Sequence, residues 1–386
     1  MNKKSVWGVV IVLLSAFVGI AAGTVYAPTI PLHAVELEAP SWIVTALPMG
    51  LPSIIGLIIL LPVGILADRT GRRKEIILIA MAVTVVANLG LALSNSWVAL
   101  SIWRIFSGLP FAFMSVYVVL VSFMFSEQRR GSAVALAAGS AMLGMGGSQA
   151  LSGYLVKVLG GYIGLYYLAA GLAVLAILFL LPAKIPVVKS PTGISGKDIR
   201  GVIGHRAILY TGITLMIYLI GWQSIYGSFS FVLVDFLSTP VELQAVFFAV
   251  VSVMLGLGTF IWGPVIDKIG AKKTLFVALF ISSVATFAML PLLKSMWAYV
   301  LLFWLATLGG VCGSPGVSVV ATKSVKPELA TIGINTMFLF VMLPGIIGGF
   351  LAGPLIAGIG LFGMILVAAI LELIGAGMLF GIPDMK

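Results

Sequence analysis

Charge is what this sequence has least of. Lys, Arg, Asp and Glu together make up 9% of its 386 residues, whereas soluble domains carry about 25%. A water-soluble fold of this length would lack the polar surface to cover itself. With 61% hydrophobic residues and a mean hydropathy of +1.21, the chain needs lipid around it. Cysteine is nearly missing. Cys312 stands alone in an apolar run, which excludes an intramolecular disulfide and leaves the redox compartment unread. The two histidines, His33 and His205, both fall outside the apolar runs, and no His-Glu-x-x-His occurs. No phosphate-cradling Gly-x-x-x-x-Gly-Lys-Ser/Thr exists either, since Gly196-Lys197-Asp198 fails both the upstream glycine and the hydroxyl. These absences argue against an enzyme, a metal site, a cofactor and ATP hydrolysis, and leave ion or solute gradients as the energy source. No Asn-x-Ser/Thr sequon is found and the loops are short, which leans toward a prokaryotic inner membrane.

What the chain does have is apolar runs. A bilayer core of about 30 Å needs roughly 20 apolar helical residues per crossing. Such runs read as 6–28, 42–66, 75–94, 97–123, 132–158 and 161–182, then 207–233, 242–265, 274–293, 296–320, 329–356 and 359–381. The first is too long for a signal-peptide core of about 7–15 residues and is kept as a spanning helix. Pro48, Pro52, Pro344 and Pro354 are expected to bend the second and eleventh segments. With the N-terminus in the cytoplasm, all but three of the 22 Lys and Arg lie inside, the exceptions being Arg104, Lys157 and Lys294. The outward loops carry Glu36, Glu38, Asp235 and Glu242. This is the positive-inside bias, and it accounts for the net charge of +10 without nucleic acid. Both termini are then cytoplasmic.

The polar stretch 183–206, with Pro186, Pro191, Gly193, Gly196 and five basic residues, reads as a cytoplasmic linker between halves 1–182 and 207–386. An internal repeat supports the cut. Gly64-Ile-Leu-Ala-Asp68-Arg-Thr-Gly71-Arg-Arg-Lys74 returns as Gly263-Pro-Val-Ile-Asp267-Lys-Ile-Gly270-Ala-Lys-Lys273, and the turn at Ser96-Trp97 has a counterpart before Trp297. Parallel six-helix repeats are one of the known transporter plans.

The 64–74 segment closely resembles the loop 2–3 signature of the major facilitator superfamily, Gly-x-x-x-Asp-Arg-x-Gly-Arg-Arg, and the resemblance in architecture covers the whole chain. It implies an all-α membrane protein of twelve transmembrane helices in two pseudo-symmetric six-helix bundles. Gly64 would allow a close helix approach, and Gly71 suits a turn with φ > 0. The resemblance also implies a cytoplasmic gate built from Asp68, Arg69, Gly71, Arg72 and Arg73 with Glu127 and Arg130 of loop 4–5. A second gate would use Asp267, Lys268, Gly270, Lys272 and Lys273. The competing reading is an ordinary solvated basic loop that serves topology alone.

Arg104 lies about seven residues into the fourth segment, roughly 10 Å from its outer end. An arginine at such depth costs about 2.5–3.5 kcal/mol on insertion scales and needs a partner or a polar cavity. Gly108, Phe111, Ser115 and Ser122 continue its face at helical spacing. Arg104-Ile-Phe-Ser-Gly108 resembles the Arg-x-x-x-Gly signature of drug:proton antiporters, which implies proton coupling. Helix 5, with Gly139, Gly144, Gly147 and Gln149, departs from that branch's glycine-proline pattern. Capture of an anionic substrate and a structural role on the carbonyls of a broken helix stay open for Arg104.

Tyr26, Gln149, Tyr218, Trp222, Gln223, Tyr226 and Asn335 complete the candidate cavity lining, with Thr307, Ser314 and Ser318 on the tenth segment; each has packing as its plain alternative. Glu372, in the middle of the last segment, reads as a neutral packed carboxyl, an oligomer contact or a proton carrier, while His33 and Asp235 read as rim residues. The expected function is secondary transport of a small organic solute, either proton-coupled efflux of amphipathic compounds or carriage of an organic anion such as a monocarboxylate. A non-transporting receptor has no use for paired gate loops. The expected partners are the solute, the lipid bilayer and a coupling proton, with the protein a monomer. The topology predicts that single cysteines at Ser190 and Glu38 react with an impermeant thiol reagent from opposite faces of the membrane; labelling of both from one face would overturn it.

Overall fold

The computed structural model describes residues 3–122, 124, 125, 130–183, 196–313, 320, 324, 325 and 330–381. Among them every regular element is helical, as a chain in lipid requires, because only internal hydrogen bonds can satisfy its backbone. Eight stretches are long and apolar enough to cross a membrane, and the last, Asn335–Gly381, is long enough for two crossings.

The contacts gather into two units. The first holds Met1–Ala39, Leu51–Gly193 and Pro240–Val253, and the second holds Pro40–Gly50, Ile194–Thr239 and Met254–Lys386. Short initial pieces of the second and eighth apolar segments thus pack with residues far away in sequence.

The first unit begins with α1 (Lys3–Thr24) and α2 (Ile30–Glu36). The first apolar run therefore ends four residues early, and a short helix follows it. α4 (Gly50–Thr70), most of it in this unit, runs through Pro62. It is separated from α3 (Ser41–Ala46) at Leu47–Met49, a break beside Pro48 where the sequence placed a bend. α5 (Arg73–Ala92) leads to a fourth segment in three pieces, α6 (Trp97–Phe106), α7 (Leu109–Ala112) and α8 (Met114–Ser122). α9 (Arg130–Val158) and α10 (Tyr162–Leu180) follow. Val12, Ala16, Met81, Tyr117, Val121 and Leu180 are among the apolar residues at its core. Ser15 Oγ donates to the Ala176 carbonyl there, 2.9 Å away. Lys74 Nζ donates to the carbonyls of Leu181 and Ala183 at 2.6 and 2.8 Å, so a cation sits at the negative end of α10.

In the second unit α11 (Gly196–Ile203) is a short helix inside the stretch expected to be only a linker. α12 (Arg206–Phe231) ends in a π-helical turn, Val232–Phe236. α13 (Val241–Ile269) passes from the first unit into the second at Val253, and α14 (Ala271–Met289) and α15 (Met296–Gly310) follow. α16 (Ala330–Met378) is one 49-residue run with a non-helical residue at Gly360 (φ 73°, ψ 172°). That glycine divides it into arms 330–359 and 361–378. Pro344 and Pro354 lie inside the first arm, and the assigned helix is continuous across them.

The repeat extends to backbone detail. Gly71 (φ 69°) and Gly270 (φ 86°) both take positive φ at equivalent turns, as side-chain-free residues can. Ser96 and Ser295 both cap a helix, accepting from the amides of Ala99 and Ala298.

Glycine sets the closest approaches in the second unit. A methyl group added at Gly353 would lie 2.3 Å from the Ser41 backbone, and one at Gly227 would lie 2.5 Å from the Thr45 carbonyl. Into this contact Thr45 inserts its hydroxyl, donating to the Gly349 carbonyl (2.6 Å) and accepting from the Gly353 amide (3.1 Å). Those two groups are i→i−4 partners in α16, so a side chain has entered a helical ladder. Gly358, by contrast, has nothing within 4 Å of an added methyl. Gly353→Ala is accordingly expected to lower the thermal stability of the detergent-solubilised protein by about 1–3 kcal/mol through overpacking, whereas Gly358→Ala is neutral or stabilising by up to about 1 kcal/mol. Equal effects at the two positions would show that this close contact does not form.

Candidate functional site

Polar groups inside the first unit converge on the end of α1. That helix stops at Thr24, so its last carbonyls lack intrahelical partners. Arg104, 2% exposed, reaches them from the last turn of α6. Its Nη1 donates to Gly23 O at 3.0 Å, to Ser107 Oγ at 3.1 Å and to Tyr26 Oη at 3.4 Å. The guanidinium also lies 5.1 Å from the Tyr26 ring centre, a cation–π distance. Asn88 of α5 supports the same place. It accepts from Tyr26 Oη at 2.9 Å and donates to Ala22 O at 3.1 Å. A cation and an amide thus occupy the negative end of a helix that stops within the protein. At the α6–α7 break Pro110 has no amide to donate to the Phe106 carbonyl, and Gly108 sits so close to Pro52 that a methyl there would come within 2.6 Å of the Pro52 backbone.

The network continues outward. Tyr26 meets Tyr166 edge to face, centroids 5.3 Å apart. Tyr166 Oη shares a 2.9 Å hydrogen bond with His33 Nδ1, and His33 stacks on Tyr162. His33 was expected at the rim; it is 8% exposed, and burial holds its imidazole below the usual histidine range, which favours the neutral ring. Gln149 of α9 accepts from Ser252 Oγ of α13 at 2.5 Å, within this unit.

The second unit is different. Trp222 stacks on Tyr226 and on Phe303 at 5.0 and 6.0 Å between centroids. Phe229 packs on Phe303 at 4.6 Å and stacks on Tyr299 at 5.8 Å. An aromatic ladder therefore joins α12 to α15. On it and along α12 several buried polar atoms have no hydrogen-bond partner among the described residues: Trp222 Nε1, Gln223 Oε1, Tyr299 Oη, Thr307 Oγ1 and, further along α12, Thr211 and Thr214 Oγ1. Thr336 on α16 is in the same condition, next to the buried Asn335. Native interiors seldom leave such groups unpaired without a ligand or water to meet them. Tyr218 is turned elsewhere, its hydroxyl 2.5 Å from Ser282 Oγ of α14.

Of the gate residues expected from sequence, Gly71, Arg72, Arg73, Lys268, Gly270, Lys272 and Lys273 are described, and among them Arg73 is buried while Arg72, Lys268 and Lys273 are exposed. Glu127 lies outside the described residues, as do the side chains of Asp68, Arg69, Arg130 and Asp267, those of Phe111, Ser115 and Ser122, and residues Ser314 and Ser318. Asn88, Ser107, Tyr166 and Ser252 were not foreseen. A lone Asn in the third apolar run was the one available signal, since an amide there must find a partner. The shared network predicts that Asn88→Leu, which leaves the Tyr26 hydroxyl and the Ala22 carbonyl unpaired, costs about 1–3 kcal/mol of stability. Combined with Arg104→Met, the losses are expected to be non-additive by about 0.5–3 kcal/mol in a thermal or denaturant double-mutant cycle. Strict additivity would separate the two residues.

Comparison with known proteins agrees with this architecture. The description Major Facilitator Superfamily matches residues 12–348. No match was found among curated proteins. Among solved structures, a bacterial homolog of the human lysosomal transporter Spinster, in an inward-facing and unoccupied conformation, superposes with a TM-score of 0.75 at 14% identity, covering 99% of this chain and 95% of that one. The nucleoside transporter NupG gives 0.78 at 15% identity, with 97% and 98% covered. The human organic anion transporter MFSD10 (TETRAN) gives 0.73 at 16% identity, with 98% and 100% covered. At these identities the likeness is one of fold. Together with the helices described above, the match over residues 12–348 shows that this chain is a membrane transporter belonging to the major facilitator superfamily.

Proposed function

We propose that the chain exports amphipathic organic compounds in exchange for protons, by alternating access, across a prokaryotic inner membrane with both termini in the cytoplasm. The observation that carries the reading is the aromatic ladder Trp222–Phe303–Phe229–Tyr299, with unpaired polar atoms at Trp222, Gln223, Tyr299 and Thr307. Stacked rings offer large apolar contact areas, and the indole N–H and amide carbonyl supply the few directional groups that orient a solute. Tyr226, stacked on Trp222, extends the same surface, and Asn335 is assigned to it as a further polar contact. In this reading the basic loops around Gly71 and Gly270 serve as cytoplasmic gates.

A small organic anion is the second reading. Arg104 brings a fixed positive charge into the protein, its three named acceptors are neutral oxygens, and a guanidinium can grip a carboxylate through two parallel hydrogen bonds. Its burial against α1 favours the first reading, because an anion would have to displace those bonds.

Uptake and counterflow in proteoliposomes, with and without a pH gradient, decide between them. A cationic dye is expected to accumulate only with the gradient, and Trp222→Leu to weaken its binding about tenfold, the loss of roughly 1.4 kcal/mol of aromatic contact. Arg104→Gln is expected still to bind the dye. Saturable monocarboxylate uptake that Arg104→Gln abolishes would install the second reading instead.

A further inference from the structure

Glu372 is the buried titratable group that the proposed solute contacts do not use. It lies in the second arm of α16 and has no exposed surface. Its Oε2 accepts from Thr286 Oγ1 at 2.9 Å and, more weakly, from Ser282 Oγ at 3.5 Å, both on α14. Among the described residues its Oε1 has no hydrogen-bond partner. Ser282 Oγ is in turn 2.5 Å from Tyr218 Oη of α12, so donation can run in one direction from Tyr218 through Ser282 to the carboxyl.

Glycines close the three elements around this group. A methyl at Gly221 would lie 2.4 Å from Ala368 O and 3.1 Å from Glu372 Cγ, one at Gly375 would lie 2.6 Å from Tyr218 Cβ, and one at Gly310 would lie 2.5 Å from Tyr218 Oη. The carboxyl is therefore gripped backbone to backbone, with no room for side chains between α12 and the last arm of α16. The groups facing it are few. α12 contributes Tyr218, α14 contributes Ser282 and Thr286, which do not titrate, and the buried Cys312, just past α15, acts on Tyr218. Among the described residues no cation balances it. An ionised carboxylate held this way would be a bare charge in a dry interior, which proteins avoid by keeping the proton. Oε2 already accepts from two hydroxyls, so Oε1 is the oxygen left to bear it.

We propose that Glu372, Thr286, Ser282 and Tyr218 form a proton-binding site between α12, α14 and the last arm of α16, occupied in the arrangement seen here and vacated when α12 draws away from the other two. Tyr218 and Trp222 are one helical turn apart on α12 and so lie on neighbouring positions of one face. A solute that moves Trp222 moves Tyr218 with it. Only this link to transport rests on the proposed function; the occupancy of the site does not.

Infrared spectroscopy of the full chain in lipid, titrated with protons in H2O and D2O, tests the site. At neutral pH the wild type is expected to show the isotope-sensitive carbonyl band of a protonated carboxyl, absent from Glu372→Gln. Thr286→Val, which removes a hydrogen bond to that carbonyl, is expected to move the band to higher frequency and keeps the test open if Glu372→Gln does not fold. A band unchanged in Glu372→Gln, or no such band in the wild type, would overturn the site. In proteoliposomes Glu372→Gln is expected to retain solute counterflow and lose gradient-driven accumulation. Wild-type accumulation in that variant would overturn the coupling role. A wild type indifferent to the gradient would overturn the proposed function, while the infrared result would still decide the site.

Discussion

Much of this structure follows from one rule: a helix end buried inside the protein must have its last carbonyls met by the protein itself. α1 stops at Thr24, and the answer to its open end organises much of the first unit. Arg104 and Asn88, from two different helices, reach the carbonyls of Gly23 and Ala22. Tyr26 ties the two reaching side chains together, and Ser107 holds the guanidinium at the place where α6 also stops. The interruption of the fourth segment and that of the first are thus joined in one network. Arginine is suited to this position because its planar donors can meet several acceptors at once and stay charged.

The absence of water from a bilayer core changes what holds the helices together. Between two lipid-soluble surfaces there is no hydrophobic gain, so attraction depends on close contact and on hydrogen bonds. Glycine provides the contact. Gly353 against Ser41, Gly144 against Phe17, Gly153 against Val241 and Gly309 against Ala278 all bring backbone within a distance that a single methyl would forbid. Thr45 adds the hydrogen bonds, taking the place of part of a helical ladder. Such interfaces are specific without being greasy, which fits a protein whose helices must part and meet again.

How much of this was legible in the sequence depends on the kind of force. Apolar length marked the spanning segments, because the bilayer demands it residue by residue. Gly71 was read as a turn glycine from its motif, and its φ of 69° agrees. The break at Leu47–Met49 was signalled by Pro48, which restricts its neighbours locally. Pro344 and Pro354 carry the same local signal, yet the helix holds across them, since packing partners can make good the lost bonds in a buried helix. The non-helical residue at Gly360 falls within a few residues of the boundary read between the eleventh and twelfth apolar segments, 329–356 and 359–381. The first break in the fourth segment had a local signal in Pro110, whereas the close approach of Gly108 to Pro52 involves another helix, and no reading of one segment contains its neighbours. Arg104 was identifiable as a residue in need of a partner; that its partners would be the carbonyls of α1 required knowing where α1 ends. Asn88 carried the same need with less charge, and so a weaker signal.

The two units also differ in what they leave undone. In the first, Arg104, Tyr26, Asn88, Gln149 and Tyr166 have partners within the unit, and Ser152 Oγ has none among the described residues. In the second, buried polar atoms of Trp222, Gln223, Tyr299 and Thr307 and one oxygen of Glu372 have none among the described residues. Unpaired polar atoms in a dry interior cost stability unless something else meets them. Several such atoms gather on α12, α15 and the last arm of α16, where a ligand, a water or a proton would complete them. A network already complete is suited to act as a fixed support, and an incomplete one is suited to bind and release.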